Sequence, residues 1–312
     1  MSRVLITGGA GYIGSTLVKY YLELGNRVTV VDNLLYKQVS LSQYCNNKRF
    51  NFIKLDVRDS NELKKLAAAH DIIIPLAAIV GFPACERDKQ LATDVNTGHI
   101  ETICKHLASG QRLVYPNTNS GYGGGGEDQE CTEETPLNPI THYGETKCAA
   151  ERCVLGHGGI ALRLATVFGV SPRFRIDLLV NDFVYRAYKD GFIVLFEKDF
   201  KRNFIHVVDV CAAFLKMTSS YDKYKGEAFN VGLSSANLSK MQLCDKIKEY
   251  YPNFSVMVDE IHTDPDKRDY IVSNKKLEDT GWQPQNSLDD GIQELTKFYP
   301  IVSSATSKFT NL

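Results

Sequence analysis

Hydrophobic residues fall along this chain in two rhythms. Short apolar runs alternate with stretches in which apolar residues recur every three or four positions. The run Val4-Leu5-Ile6-Thr7 comes first and ends in the glycine-rich turn Gly8-Gly9-Ala10-Gly11. After it, Ile13, Leu17, Val18, Tyr21 and Leu24 share one face, which predicts a helix from about Tyr12 to Leu24 closed by Gly25. Arg27–Val31 reads as a second strand and stops at Asp32; Phe50–Leu55 reads as a third and leads into Asp56-Val57. Ser60 is expected to cap a helix running to Ala69, with Glu62 in its first turn. The stretch Ile72-Ile73-Ile74-Pro75-Leu76-Ala77-Ala78 is apolar throughout, as a strand covered on both faces of a parallel sheet must be. A helix over Leu91–Leu107, a strand over Arg112–Tyr115, a helix over Tyr143–Leu155 and a strand over Ile160–Leu164 continue the pattern.

Strands alternating with helices predict an α/β fold, a Rossmann-type doubly wound parallel sheet over residues 1–165. Residues 116–142 interrupt it, being rich in Gly, Pro, Asn and Thr. An aperiodic segment of that length inside a domain is more often functional than idle. Beyond Thr166 the alternation weakens. Residues 166–312 read as a smaller, mixed α/β substrate region, partly interleaved with the first. Its helices are expected near 177–189, 207–218, 239–250 and 287–298, and the tail after Pro300 reads as frayed.

Composition narrows the function. With 312 residues and 43% hydrophobic content, the chain can bury a full core. A formal net charge of −1 and no long basic run leave no bulk attraction for nucleic acid or an anionic membrane. A small anionic ligand held by a few arginines remains compatible. The opening apolar run is too short for a signal peptide, and no stretch approaches membrane-spanning length. The eight cysteines contain no C-x-x-C pair, the closest two being Cys148 and Cys153. That spacing argues against a zinc ribbon and a disulfide framework. The expectation is a cytoplasmic protein with reduced thiols and no metal.

The chemistry starts at the glycine turn. Gly8, Gly11 and Gly14 are spaced so that backbone N–H groups can approach a pyrophosphate at the positive end of the following helix. Asp32, at the end of the next strand, is placed to hold the adenosine ribose hydroxyls, which favours NAD over NADP; Asn33 follows it, not an arginine. Further on, Tyr143 and Lys147 stand at i, i+4 near a helix start and share a face. A lysine there stabilises a tyrosine phenolate, and the phenolate can take a proton from a sugar hydroxyl.

These residues resemble the extended short-chain dehydrogenase/reductase family, in its branch of nucleotide-sugar epimerases and dehydratases, over nearly the whole chain. The resemblance implies an NAD site made of Gly8, Gly11, Tyr12, Ile13, Gly14, Asp32 and Asn33. Asp56 and Val57 would lie at the adenine edge, Leu76, Ala77 and Ala78 beside the cofactor, and Asn96 on the helix behind it. Within Asn117–Gly123, Thr118 falls on the family's catalytic hydroxyl, and Tyr143 and Lys147 on its Tyr-x-x-x-Lys pair. Arg202 in Arg202-Asn203-Phe204-Ile205-His206 and Arg268 in Lys267-Arg268-Asp269 match arginines that hold a nucleotide diphosphate; Thr118, Asn119, Ser120, Thr166 and Asn181 are carried over as further substrate contacts. The resemblance also implies a homodimer paired through Leu91–Leu107 and Tyr143–Leu155.

Departures from the family pattern matter as much. A 4,6-dehydratase has Asp then Glu after its catalytic threonine, to remove water across C5–C6. Here those places hold Asn119 and Ser120, which neither give nor take a proton near neutral pH. Thr166 stands where the family has asparagine against the substrate diphosphate. The nearest likeness is to bacterial GDP-heptose 4-dehydrogenases. The expected activity is oxidation of a nucleotide sugar at C4, as a net 4-dehydrogenase or 4-epimerase. A 4,6-dehydratase and a redox-silent NAD-binding regulator are the alternatives. Because Asp32 repels a 2′-phosphate, NAD is expected to bind at least about tenfold more tightly than NADP, or about 1.4 kcal/mol. Calorimetric titration with both dinucleotides checks this, and equal affinities would remove Asp32 from that role.

Overall fold

The computed structural model describes residues 1–124, 130–260, 269–302 and 309–310. The chain begins β1 (Arg3–Thr7), α1 (Tyr12–Glu23), β2 (Arg27–Asp32), β3 (Phe50–Lys54), α2 (Ser60–Ala68), β4 (Ile72–Pro75), α3 (Phe82–Arg87), α4 (Lys89–Thr93), α5 (His99–Lys105), β5 (Arg112–Thr118), β6 (Glu130–Cys131) and α6 (His142–Gly156). It continues β7 (Ile160–Leu164), β8 (Thr166–Phe168), α7 (Leu179–Lys189), β9 (Phe192–Leu195), β10 (Lys201–His206), α8 (Val207–Ser219), α9 (Tyr221–Tyr224) and β11 (Ala228–Val231). It closes β12 (Asn237–Ser239), α10 (Lys240–Lys248), β13 (Ser255–Val258), β14 (Ile271–Val272), α11 (Lys275–Glu278) and α12 (Leu288–Val302).

Among the described residues, seven strands form one parallel sheet in the order β3-β2-β1-β4-β5-β7-β11. Strand order reverses beside β1, which opens a crevice at the carboxyl ends of β1 and β4. Both faces are covered. Val4, Ile6, Ile72 and Ile74 pack on the side of α1 and α8, with Leu17, Val18, Phe214 and Met217. Leu5 and Ile73 point the other way, against Leu63, Ile100, Ile103 and Val154 of α2, α5 and α6. This two-sided burial is why these strands read as unbroken apolar runs. Three small sheets, β12-β10-β8, β13-β9 and β14-β6, belong mostly to the second region. No described helix is long and apolar enough to cross a membrane.

Several local expectations are corrected. Asp59, not Ser60, caps α2: its Oδ1 accepts from the Glu62 N–H at 3.1 Å. β4 stops at Pro75, which has no N–H to donate, so Leu76-Ala77-Ala78 leave the sheet. The helix expected over Leu91–Leu107 is α4 and α5 joined by a π-helical turn at Asp94–Gly98. The tail is not frayed throughout. The Phe309 carbonyl accepts from the Ile176 N–H at 2.9 Å, and its ring lies 5.7 Å from that of Phe174, centroid to centroid. The four glycines at 123–126 fall partly outside the described residues.

One buried polar group joins the layers. Arg163 on β7 donates to Glu151 on α6, with Nη2 2.7 Å from Oε1, and both side chains are almost fully buried. Asn117 on β5 donates to the same carboxylate. Arg163 also donates to the Tyr122 hydroxyl at 3.0 Å, which donates to Asn230 Oδ1 on β11 at 2.7 Å. Removing one partner of a buried pair strands the other charge. Arg163→Met is therefore expected to cost about 3–5 kcal/mol in urea unfolding, and Arg163→Met with Glu151→Leu to recover most of it. An unchanged midpoint in the single variant would contradict this account.

Candidate active site

A cavity of about 630 Å³ opens at the crevice and runs along the carboxyl ends of the strands. Its floor is the glycine turn. Gly8 has φ of +68°, and a Cβ there would sit 2.5 Å from the Ala77 backbone nitrogen. A Cβ at Gly14 would sit 2.5 Å from the Gly9 Cα, so α1 packs this closely on the turn only through glycine. Gly11 differs: it lines the cavity, and the sole near neighbour of an added Cβ is the Gly8 carbonyl at 3.1 Å. Its missing side chain leaves space in the cavity and not in the core. Gly11 begins α1 without a side-chain cap, and the first turn holds no acidic residue. The unpaired N–H groups at this end, beside Tyr12, Ile13 and Gly14, present positive potential to the cavity.

Asp32 lies at the carboxyl end of β2, where its carboxylate is fixed by the N–H groups of Leu34 at 2.8 Å and Ala10 at 3.1 Å. Burial raises its pKa, against the lowering effect of those two bonds. Asn33 donates to Asp56 at 3.4 Å. Arg58 pairs with the same carboxylate at 2.8 Å and holds Asp56 down at about 2. Asp32, Asn33, Asp56 and Val57 all line the cavity, as do Leu76, Ala77 and Ala78 across from them.

Thr118 ends β5 at the opposite wall. Its Oγ1 accepts from the Ser120 N–H at 3.1 Å and lies 2.9 Å from the Ser120 hydroxyl. Thr141 caps α6 through the Gly144 N–H, and the helix start thus fixed brings Tyr143 and Lys147 to the cavity. Lys147 is 4% exposed, and its Nζ stands 4.2 Å over the Tyr115 ring. Burial pushes its ammonium down to about 7, with Cys148 and Glu151 opposing weakly. Thr166 and Arg202 line the far side, where Arg202 lies 5.7 Å from the Tyr270 ring.

Other residues from the sequence reading lie elsewhere. Asn96, in the π turn, is buried behind the cavity; it accepts from the Ile79 N–H at 2.8 Å and donates to Thr146 on α6 at 3.1 Å. Asn119 and Ser120 are each 1% exposed and do not line the cavity. Asn181 is fully buried, its amide joining Gly169 N at 3.1 Å to the Arg175 carbonyl at 2.8 Å, so it supports the wall and faces no ligand space. Arg268 lies outside the described residues. Sequence reasoning missed Tyr36, Arg58, Arg173 and Arg175, all on the wall. The spacing Asp56-x-Arg58 could have exposed one of them. Nothing local marks Arg173, which meets Tyr36 only through the fold, 5.7 Å from its ring.

The sequence model of the NAD dependent epimerase/dehydratase family matches residues 4–232. The chain belongs to that family. Its cofactor, as the family's, is NAD. A low-salt glycan biosynthesis protein of Haloferax volcanii is 29% identical over 315 residues, covering 95% of this chain and 98% of that protein. The dTDP-D-glucose 4,6-dehydratase of Mus musculus is 28% identical over 326 residues, covering 95% and 88%. The UDP-glucose 4-epimerase of Thermotoga maritima, solved with UDP-glucose, superposes with a TM-score of 0.84 at 24% identity, covering 97% of this chain and 100% of that one.

Lys147 gives the family site a stability signature. Below pH 7 the folded and unfolded chains both carry this charge, and the fold bears the full penalty of burying it. Above pH 7 the unfolded chain keeps a proton that the folded chain has lost, so stability rises with pH until free lysine titrates. The stability advantage of Lys147→Met over wild type, both without ligand, is expected to be greatest below pH 7. It should shrink above that by up to about 1.4 kcal/mol per pH unit. Urea midpoints at pH 6 and 9 check this, and a constant difference would count against the buried ammonium.

Proposed function

We propose that the protein oxidises a nucleotide-diphosphate sugar, a GDP-sugar by preference, at C4 to its 4-keto form, acting overall as a 4-dehydrogenase or 4-epimerase. The observation that carries this reading is Thr118, Tyr143 and Lys147 on one cavity with the glycine turn, while Asn119 and Ser120 replace a dehydratase's acid and base. NAD, when bound, supplies a hydride acceptor that can also return the hydride. The wall fits it. The uncapped N-terminus of α1 and the space left by Gly11 suit a pyrophosphate, with Gly8, Tyr12, Ile13 and Gly14 around it. Asp32 would hold the adenosine ribose, Asn33, Asp56 and Val57 the adenine edge, and Leu76-Ala77-Ala78 the side of the cofactor. Asn96 would act from behind, by fixing Ile79 and α6.

Tyr143 takes the C4 hydroxyl proton as phenolate, and the Lys147 ammonium stabilises that phenolate. An anionic dinucleotide beside Lys147 favours its charged form, offsetting the burial that lowers it. Thr118 hydrogen-bonds the same hydroxyl. Thr166 and Arg202 would receive the diphosphate, where a guanidinium makes paired, charge-assisted hydrogen bonds. Asn119 and Ser120 leave no carboxylate for C5 and C6. The curated relatives named as 4,6-dehydratases favour that second reading, and solvent exchange separates the two. The assembly proposed is a homodimer paired through residues 91–107 and 143–155, checked by light scattering at micromolar concentration, where a monomer mass would exclude it.

Tyr143→Phe is expected to lower turnover by about 10²–10⁴-fold while NAD binding survives. Thr118→Ala should lose less, since it removes a hydrogen bond and keeps the base. The protein is first screened with GDP-, UDP- and dTDP-sugars for NADH absorbance and for the C4 epimer. The accepted substrate is then turned over in deuterated water. No deuterium should enter C5 or C6; incorporation at both, with a 6-deoxy-4-keto product, would establish the dehydratase instead. No turnover with any sugar, together with tight NAD binding, would identify a regulator.

A further inference from the structure

Two thiols and an imidazole meet at a place that the proposed reaction does not use. Cys153, on the last turn of α6, and His157, at its C-cap, stand at i, i+4 with Sγ and Nδ1 on the same side. Cys104, on α5, comes across to them from the packed helix alongside. The three ligand atoms all lie within 4.8 Å of one another, and Cys153 Sγ is 4.0 Å from His157 Nδ1. None of the three lines the cavity. Ten residues of helix, about 15 Å of rise, separate Cys153 from Tyr143.

Burial is graded across the cluster. Cys104 is buried in the core, Cys153 is half-buried, and His157 is exposed. A cation would thus find two anchored sulfurs and an approach past His157, which lies beyond the stretch 143–155 proposed to pair in the dimer. Tetrahedral zinc, with Zn–S of about 2.3 Å and Zn–N of about 2.0–2.1 Å, sets its ligand atoms about 3.5–3.8 Å apart. The observed spacing therefore needs to close by up to about 1.3 Å. The exposed His157 side chain can move toward the sulfurs, because its hydrogen bond to the Cys153 carbonyl, at 2.8 Å, is one that water can replace. Paired thiolates with imidazole select a borderline-soft d¹⁰ ion over the hard magnesium and calcium ions.

We propose that Cys104, Cys153 and His157 form a zinc-type site, with two thiolates and one imidazole as ligands and water in the fourth position. Binding releases two thiol protons and joins the C-terminal ends of α5 and α6. The affinity accordingly rises with pH.

The test uses the full chain, reduced, stripped with a chelator and freed of it. Zn²⁺ alone is titrated in against a chromogenic zinc indicator. One equivalent per chain is expected to be withdrawn from the indicator. Cys153→Ser and His157→Ala, both at positions that are not fully buried, should each weaken this at least tenfold. Cys45→Ser, at an exposed cysteine outside the cluster, should leave it unchanged. With Co²⁺ in place of zinc, a near-ultraviolet thiolate-to-cobalt band should appear in wild type and lose intensity in Cys153→Ser. Unfolding curves of the variants verify that they are folded. Zinc left on the indicator by reduced wild type, affinity unchanged in both cluster variants, or equal loss in Cys45→Ser would each overturn the site.

Discussion

The ion pair between Arg163 and Glu151 is the contact on which the rest of the architecture depends. Two charges are tolerated in the interior only because their hydrogen-bonding groups are used: the carboxylate by Arg163 and Asn117, the guanidinium by Glu151, Tyr122 and the Glu133 carbonyl. The pair ties α6 to β5 and β7, and through Tyr122 and Asn230 to β11. It thereby sets α6, which carries Tyr143 and Lys147, against the strand that ends in Thr118. Neither Arg163 nor Glu151 lines the cavity. Glu151 also lies one turn beyond Lys147 and offsets a little of the penalty of burying that ammonium. Support and electrostatics come from the same carboxylate.

Charges of both signs line the cavity. On one wall the open helix end of α1 offers positive potential, and Asp32 and Asp56 stand fixed beside it by backbone N–H groups and by Arg58. On the other, Arg202 sits close to Tyr270. Between them Lys147 is poised near neutrality by desolvation, so an anionic ligand arriving there shifts its protonation. In the reaction proposed above, ligand binding and activation of Tyr143 would be coupled through this one buried amine.

Much of this was legible in the sequence because it is local. Glycine spacing, the strand that stops at Asp32 and the i, i+4 pair on α6 each state their geometry within a few residues. The apolar run Ile72-Ile73-Ile74 announces a strand buried on both faces. What escaped is what tertiary structure assembles. Arg173 reaches Tyr36 across more than a hundred residues, and the C-x-x-x-H on α6 gains its second sulfur only when α5 packs against it. Asn181 shows the same limit: a buried amide that braces a wall and one that touches a ligand look alike in sequence. The π turn at Asp94–Gly98 has no periodic signature either, yet it carries the asparagine that holds Ile79 to α6.

β11 belongs by sequence to the second region, yet it completes the sheet of the first, pairing along β7 from Ala228↔Ala161 to Val231↔Leu164. A chain divided near residue 165 would leave β7, buried along its whole length, as a bare edge with its ladder of N–H and C=O groups unpaired. The two regions are therefore inherited as one piece. Exchange of the second region between relatives must carry β11 with it and match its register to a foreign β7, whereas changes in the loops around the cavity face no such condition. A change confined to the loops leaves this pairing intact, and a cut at the apparent boundary does not.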